Sequence, residues 1–244
     1  MTKSNQKLSA KTRVAQALRY IDPETGAIIP PIQSSVTFAR DENYETRKPY
    51  WYKRDGNETT SHAEAMIADL EEAKDTLLFS SGMSAATAVI DHLEEKSHVV
   101  VPKAMYHGVL HLFKTYEKKG RLSVSYYEAG DLNELSEVIN HNTSLVWAET
   151  PNNPDWAVTN IRKAADIAHK HGAKLLTDCT GTPPCATRAL NFDADISMHS
   201  ATKYLNGHSD VTAGALSVRD TGPYWEDITL TRKLQGKVLQ SFDA

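Results

Sequence analysis

The chain has 244 residues, a formal net charge of −4 and 24% charged residues, with acids slightly outnumbering bases. That balance gives no electrostatic footprint for nucleic acid or for an anionic membrane surface. No apolar run approaches the ~18 residues of a membrane span, and MTKSNQKLSAKTRV lacks a signal core, so a cytoplasmic protein is expected.

Residues 1–60 show little periodicity and many turn formers, among them Asp22-Pro23, Pro30-Pro31 and Asp55-Gly56. They read as an extended N-terminal arm. Ser61 followed by Glu64 reads as a capping box opening a helix with Met66, Ile67, Leu70 and Ala73 on one face. Leu77–Phe79 reads as a strand running into Ser80-Ser81-Gly82-Met83, and Ser84–Leu93 as a helix of small residues. A strand is expected at Val99–Val101, a helix from Tyr106 to Lys119 stopped by Gly120, and a strand at Leu122–Tyr127. Asp131 caps a helix to Ile139. Strand Leu145–Ala148, helix Asn160–Lys170 and strand Lys174–Thr177 follow. Ile196–His199 and Val211–Val218 are the last strands, and Tyr224–Val238 is helical. Strands alternating with helices predict an α/β fold over residues 61–220, a mostly parallel sheet with helices on both faces. The two cysteines, Cys179 and Cys185, are too few for a disulfide framework and suit a reducing compartment.

Sheets of this kind bind ligands outside the carboxyl ends of their strands. That edge gathers Ser81-Gly82-Met83, Tyr106, the run Glu149-Thr150-Pro151-Asn152-Asn153-Pro154, Asp178-Cys179-Thr180, and Ser200-Ala201-Thr202-Lys203. Singly, Gly82 reads as a turn, Asp178 as a cap, Tyr106 as core or interface, and Lys203 as a solvated charge. Together they have a chemical logic. Ser81, Gly82 and Met83 offer N–H groups at a helix start to a phosphate, and Ser200 and Thr202 can add hydrogen bonds. Lys203 beside the phosphate can form a Schiff base with a carbonyl. Asp178 can keep a ring nitrogen protonated, so that the ring stores the charge of a carbanion. Those are the requirements of pyridoxal 5'-phosphate. No metal site is expected, and no glycine-rich dinucleotide fingerprint or Gly-Lys-Ser/Thr phosphate loop is present.

Ser200-Ala-Thr-Lys-Tyr-Leu-Asn-Gly-His-Ser-Asp-Val211 closely resembles the lysine signature of the pyridoxal-phosphate enzymes of cysteine and methionine metabolism, typified by cystathionine γ-synthase and γ-lyase. Ser80–Met83, Glu149–Pro154, Thr25–Pro31 and Tyr52-Lys53-Arg54 ahead of Asn57 extend the resemblance over essentially the whole chain. It implies the aspartate-aminotransferase-like large domain of fold type I, with 221–244 as the start of a linker helix. It makes Lys203 the cofactor's covalent anchor and proton shuttle, pairs Asp178 with the ring nitrogen and Asn153 with the phenolic oxygen, and sets Thr180 near the ring. Gly82, Met83, Ser200 and Thr202 would hold the phosphate, and Tyr106 would stack on the ring and assist the leaving group. Tyr52 and Arg54 would reach a neighbouring subunit's phosphate in a homo-oligomer, a dimer of dimers acting on small amino-acid substrates.

Three features depart from the family pattern: Asn57-Glu58-Thr59 for Asn-Pro-Thr, Cys179-Thr180-Gly181 for Asn-Thr-aromatic, and an end at Ala244. Gly181 implies a void or a mobile loop beside the cofactor, and Cys179 reads as a packing residue. The resemblance places a smaller C-terminal domain, with an arginine for the substrate carboxylate, beyond residue 244. The implied function is γ-replacement of an activated homoserine by cysteine, as in cystathionine γ-synthase. The alternatives are γ-lyase-type elimination and a truncated cofactor-binding remnant without full catalysis.

Overall fold

The computed structural model describes residues 8–244, so the readings that fall on residues 1–7 lie outside the described residues. Its strands are β1 (Asp75–Phe79), β2 (Ser97–Pro102), β3 (Leu122–Tyr127), β4 (Thr143–Glu149), β5 (Lys174–Asp178), β6 (Ile196–His199) and β7 (Gly214–Val218). Its α-helices are α1 (Ala10–Ala15), α2 (Glu58–Glu71), α3 (Gly82–His92), α4 (His107–Lys118), α5 (Leu132–Val138), α6 (Ile161–Lys170) and α7 (Pro223–Leu234). The strands form one sheet in the order β1-β7-β6-β5-β4-β2-β3.

The central strands are apolar on both sides because both faces are covered. Val99, Val101, Leu145, Trp147, Leu176, Ile196 and Met198 pack with residues of α3, α4 and α7 in one core. Val100, Val146, Ala148 and Leu175 point the other way, into a core with Leu135 of α5 and Ile161, Ala164, Ala165 and Ala168 of α6.

Strand β7 runs antiparallel to both of its neighbours, β1 and β6. A parallel return would need a crossover helix. The chain instead returns along residues 200–213, which carry Lys203 and hold neither helix nor strand. The strand expected from Val211 accordingly begins at Gly214. A Cβ on Gly214 would stand 2.3 Å from the Ser81 carbonyl oxygen. The absence of a side chain there lets β7 support the Ser81-Gly82 turn from below.

The sheet ends at β1, and side chains cover its free edge. Glu64 accepts the Leu78 N–H (2.9 Å), while Arg232 donates to the Leu78 carbonyl (2.8 Å) and to Glu64 (2.5 Å). This use of Glu64 corrects the expected capping box. The cap of α2 is Asn57, fully buried, whose side chain accepts the Thr59 N–H (3.0 Å) and donates to the Gln33 carbonyl (2.9 Å). Residues 8–57 are mostly irregular but include the short α1. Helix α7 stops at Leu234, before Gly236 at φ +67°, rather than running to Val238.

Candidate active site

Six segments meet at the carboxyl edge of the sheet around a cavity of about 380 Å³. Ser81, Gly82, Met83, Tyr106, Asn153, Asp178, Thr180, Ser200, Thr202 and Lys203 all line it. They are spread over more than a hundred residues of sequence, and the strand order brings them together.

One end of the cavity is built around Gly82. A Cβ on Gly82 would lie 2.9 Å from Ser200 Cβ and 3.1 Å from Ser200 Cα. Ser81 caps α3 by accepting the Ser84 N–H (3.0 Å), so its hydroxyl is already engaged. The Gly82 and Met83 N–H groups belong to the first helical turn, have no intrahelical acceptor, and are available to an anion at the positive end of α3. The Thr202 hydroxyl donates to the Ala213 carbonyl (3.1 Å) and accepts the Ala213 N–H (2.9 Å). It lines the cavity with its proton committed to the loop, whereas the Ser200 hydroxyl, against Gly82, makes no hydrogen bond among the described residues.

The acidic end is Asp178, the last residue of β5 and almost fully buried. Its Oδ1 accepts the Thr180 N–H (3.0 Å) and the Thr180 hydroxyl (2.6 Å). The Ser200 N–H donates to that same hydroxyl oxygen (2.8 Å), so Thr180 links the acid to the loop that bears Lys203. Burial pushes the Asp178 carboxyl up, against the lowering pull of these bonds and of His199 behind it. A buried acid with no cation bonded to it, facing a cavity, fits a protonated ring nitrogen. His199 pairs with the fully buried Glu71 beneath the site, which agrees with a structural role.

Tyr106 stands at the mouth, 38% exposed, at the N-terminus of α4. Its ring lies over Gly108, where a Cβ would be 2.8 Å from Tyr106 Cε1. Lys203 is exposed to the cavity and makes no ion pair among the described residues. Next to the site, Gly181 does not open a void: its Cβ would meet Pro151 Cγ at 3.3 Å. Cys179 is fully buried, a packing residue as read.

Tyr52 and Arg54 are not brought to this cavity. Arg54 lies over the Tyr52 ring, 4.4 Å from its centroid, elsewhere on the arm. Conversely, Val109, Met198, Thr212 and Glu149 line the cavity without having been assigned a role from sequence. For Glu149 the available signal is its position, a strand-end acid beside Asp178. Among the described residues no group of three or more His, Cys, Asp and Glu is placed to hold a metal, and no helix is long and apolar enough to cross a membrane.

A lysine, a buried acid and a helix-start anion site around one cavity of an α/β sheet define the cofactor-binding unit of a pyridoxal-phosphate protein. The chain belongs to the family described as Cys/Met metabolism PLP-dependent enzyme, whose pattern matches residues 11–244. It is 35% identical over 246 residues to a cystathionine beta-lyase of Coxiella burnetii, covering 100% of this chain and 63% of that protein. It is 36% identical to the cystathionine gamma-lyase of Saccharomyces cerevisiae, over 96% of this chain and 59% of that one. The solved structure of metB from Corynebacterium glutamicum superposes with a TM-score of 0.91 at 32% identity, over 98% of this chain and 62% of that one. Cystathionine gamma synthase from Xanthomonas oryzae pv. oryzae, solved with aminoacrylate and cysteine, gives 0.90 at 31% identity, over 98% and 61%. The chain thus spans about three fifths of the length of these relatives. The family's cofactor is pyridoxal 5'-phosphate, and the Gly82 and Asp178 ends of the cavity fit it.

Proposed function

We propose that the protein catalyses γ-replacement on an activated homoserine with cysteine as the incoming thiol, the reaction of a cystathionine γ-synthase. The observation that carries this reading is the placement of Lys203, Asp178 and Tyr106 around one cavity. Bound there, the cofactor supplies an electron sink for negative charge at the substrate's α carbon. The Lys203 amine, on the β6–β7 loop, holds and moves protons at Nζ. Asp178, fixed by Thr180, keeps a negative charge where the ring nitrogen would lie. Asn153 supports the phenolic oxygen, and Gly82, Met83 and Ser200 bind the phosphate, with Ser81 and Thr202 shaping its loop. Tyr106 lies at the mouth, where a hydroxyl can pass a proton to a departing γ substituent.

Tyr52 and Arg54 belong, in this proposal, to the neighbour's phosphate site in a dimer of dimers. Two features support it: both lie outside their own chain's cavity, and the arm around them exposes Ile21, Ile28, Ile29 and Trp51. A cytoplasmic setting suits the free thiols of Cys179 and Cys185.

A second reading, elimination to a 2-oxo acid and ammonia, is favoured by the lyase names among the relatives of about 35% identity. The two are separated by supplying an O-acylhomoserine with cysteine, and cystathionine alone. Cystathionine formed from the first mixture supports replacement; 2-oxo acid and ammonia from the second, with no replacement, supports elimination. Cofactor uptake without either product leaves a binding protein only.

A further inference from the structure

Glu149 ends β4, directly beside Asp178 in the strand register, and is 6% exposed at the wall of the cavity. Its Oε2 accepts the Tyr106 N–H at 2.7 Å. The bond joins the end of β4 to the entrance of α4. Both bear groups that line the cavity. Tyr106 has no side-chain cap of its own, and its backbone at φ −47°, ψ 118° is outside the helix. A neighbouring tie reinforces the same contact: the buried Asn152 side chain donates to the Ala104 carbonyl at 2.5 Å. No cation is bonded to Glu149 among the described residues, so it is not half of an ion pair; its hydrogen bond runs to a backbone N–H group.

We propose that Glu149 is a positioning residue that sets the Tyr106 ring against the cofactor, through the reach of its carboxyl oxygen to the Tyr106 N–H. This rests on the cofactor reading of the Lys203 cavity. Reach, rather than charge, is the property required. A carboxylate and an amide of equal length can both accept that N–H, whereas a shorter carboxylate falls one methylene short.

The test compares Glu149→Gln, which keeps reach and cannot ionise, with Glu149→Asp, which keeps the carboxyl group and loses reach. The first readout is amide hydrogen exchange at Tyr106 in the cofactor-free protein. The second is the visible circular dichroism and retention of added pyridoxal phosphate. Glu149→Asp is expected to speed Tyr106 exchange and weaken retention by about tenfold, the scale of one lost hydrogen bond. Glu149→Gln is expected to keep exchange slow and the dichroic band close to its original shape. The opposite order, with Gln damaging and Asp tolerated, overturns the proposal in favour of a charge role. Equal behaviour of the two variants also overturns it. Exchange at Tyr106 reads the tie without cofactor. Slow exchange in Glu149→Asp therefore defeats the positioning claim itself, whereas a wild-type protein that takes up no pyridoxal phosphate defeats the cofactor reading on which it rests.

Discussion

Gly82 and Ser200 approach each other so closely that no side chain fits between them: a Cβ on Gly82 would lie 2.9 Å from Ser200 Cβ. This contact joins the start of α3 to the loop bearing Lys203, and so fixes the two relative to each other. A Gly82→Ala change must push the Ser200 backbone away. Overpacking of this kind costs about 1–3 kcal/mol. The expected outcome is a loss of roughly tenfold or more in pyridoxal phosphate retention, measured by absorbance titration, with a cooperative unfolding transition still present.

The two acids at the strand ends give the cofactor-free protein a definite pH dependence. Burial and the neighbouring Asp178 charge push Glu149 from 4.5 up to about 8. A group raised on folding binds more protons in the native state than in the unfolded one. Its contribution is therefore complete below the unfolded pKa and is lost as pH rises through the folded one. Thermal stability should fall between about pH 5 and pH 8.5. Glu149→Gln should flatten that slope and leave the part belonging to Asp178, which burial also raises. Melting scans across this range, with and without the substitution, check it; an unchanged slope would contradict it.

Arg232 and Glu64 cover the free edge of β1 by bonding to both backbone groups of Leu78. Arg232→Met leaves the Glu64 carboxyl buried without its cation, and breaking such a pair costs about 3–5 kcal/mol. Urea denaturation should show that loss. The double change Glu64→Leu with Arg232→Met should recover part of it, because no unpaired charge remains.

Much of the fold is legible locally. β2, β4 and β5 are buried on both faces, so they appear as unbroken apolar runs such as Val99-Val100-Val101. The residues that follow them mark the site because every strand except β7 leaves at the same edge. What stays hidden is tertiary. Asn57 and Ser61 are equally able to cap a helix; the Gln33 carbonyl, which binds the Asn57 amide, decides between them. Glu64 has the spacing of a capping box, yet serves a strand edge and an arginine 168 residues away. Glu149 meets Tyr106 across 43 residues, and no local pattern announces that bond. The cavity lining of Thr202 is predictable from the lysine signature, but the capture of its hydroxyl by Ala213 is not.

Tyr52 and Arg54 lie outside the cavity of their own chain, and the two-subunit proposal makes a complementation prediction. Arg54→Ala should weaken cofactor retention, and Lys203→Ala should abolish covalent attachment. Mixing and re-assembling the two variants should restore tight retention at sites that pair an intact Lys203 with a neighbour's intact Arg54. Absence of any recovery in re-assembled oligomers would show that Arg54 does not act across the interface.

Lys203 as the cofactor's covalent anchor is tested by the visible spectrum of the purified protein with pyridoxal phosphate, before and after borohydride. An absorbance band that borohydride abolishes is expected, with the cofactor then fixed to the peptide containing Lys203, and no such band in Lys203→Ala. A band that persists in Lys203→Ala, or cofactor fixed to another lysine, would contradict it.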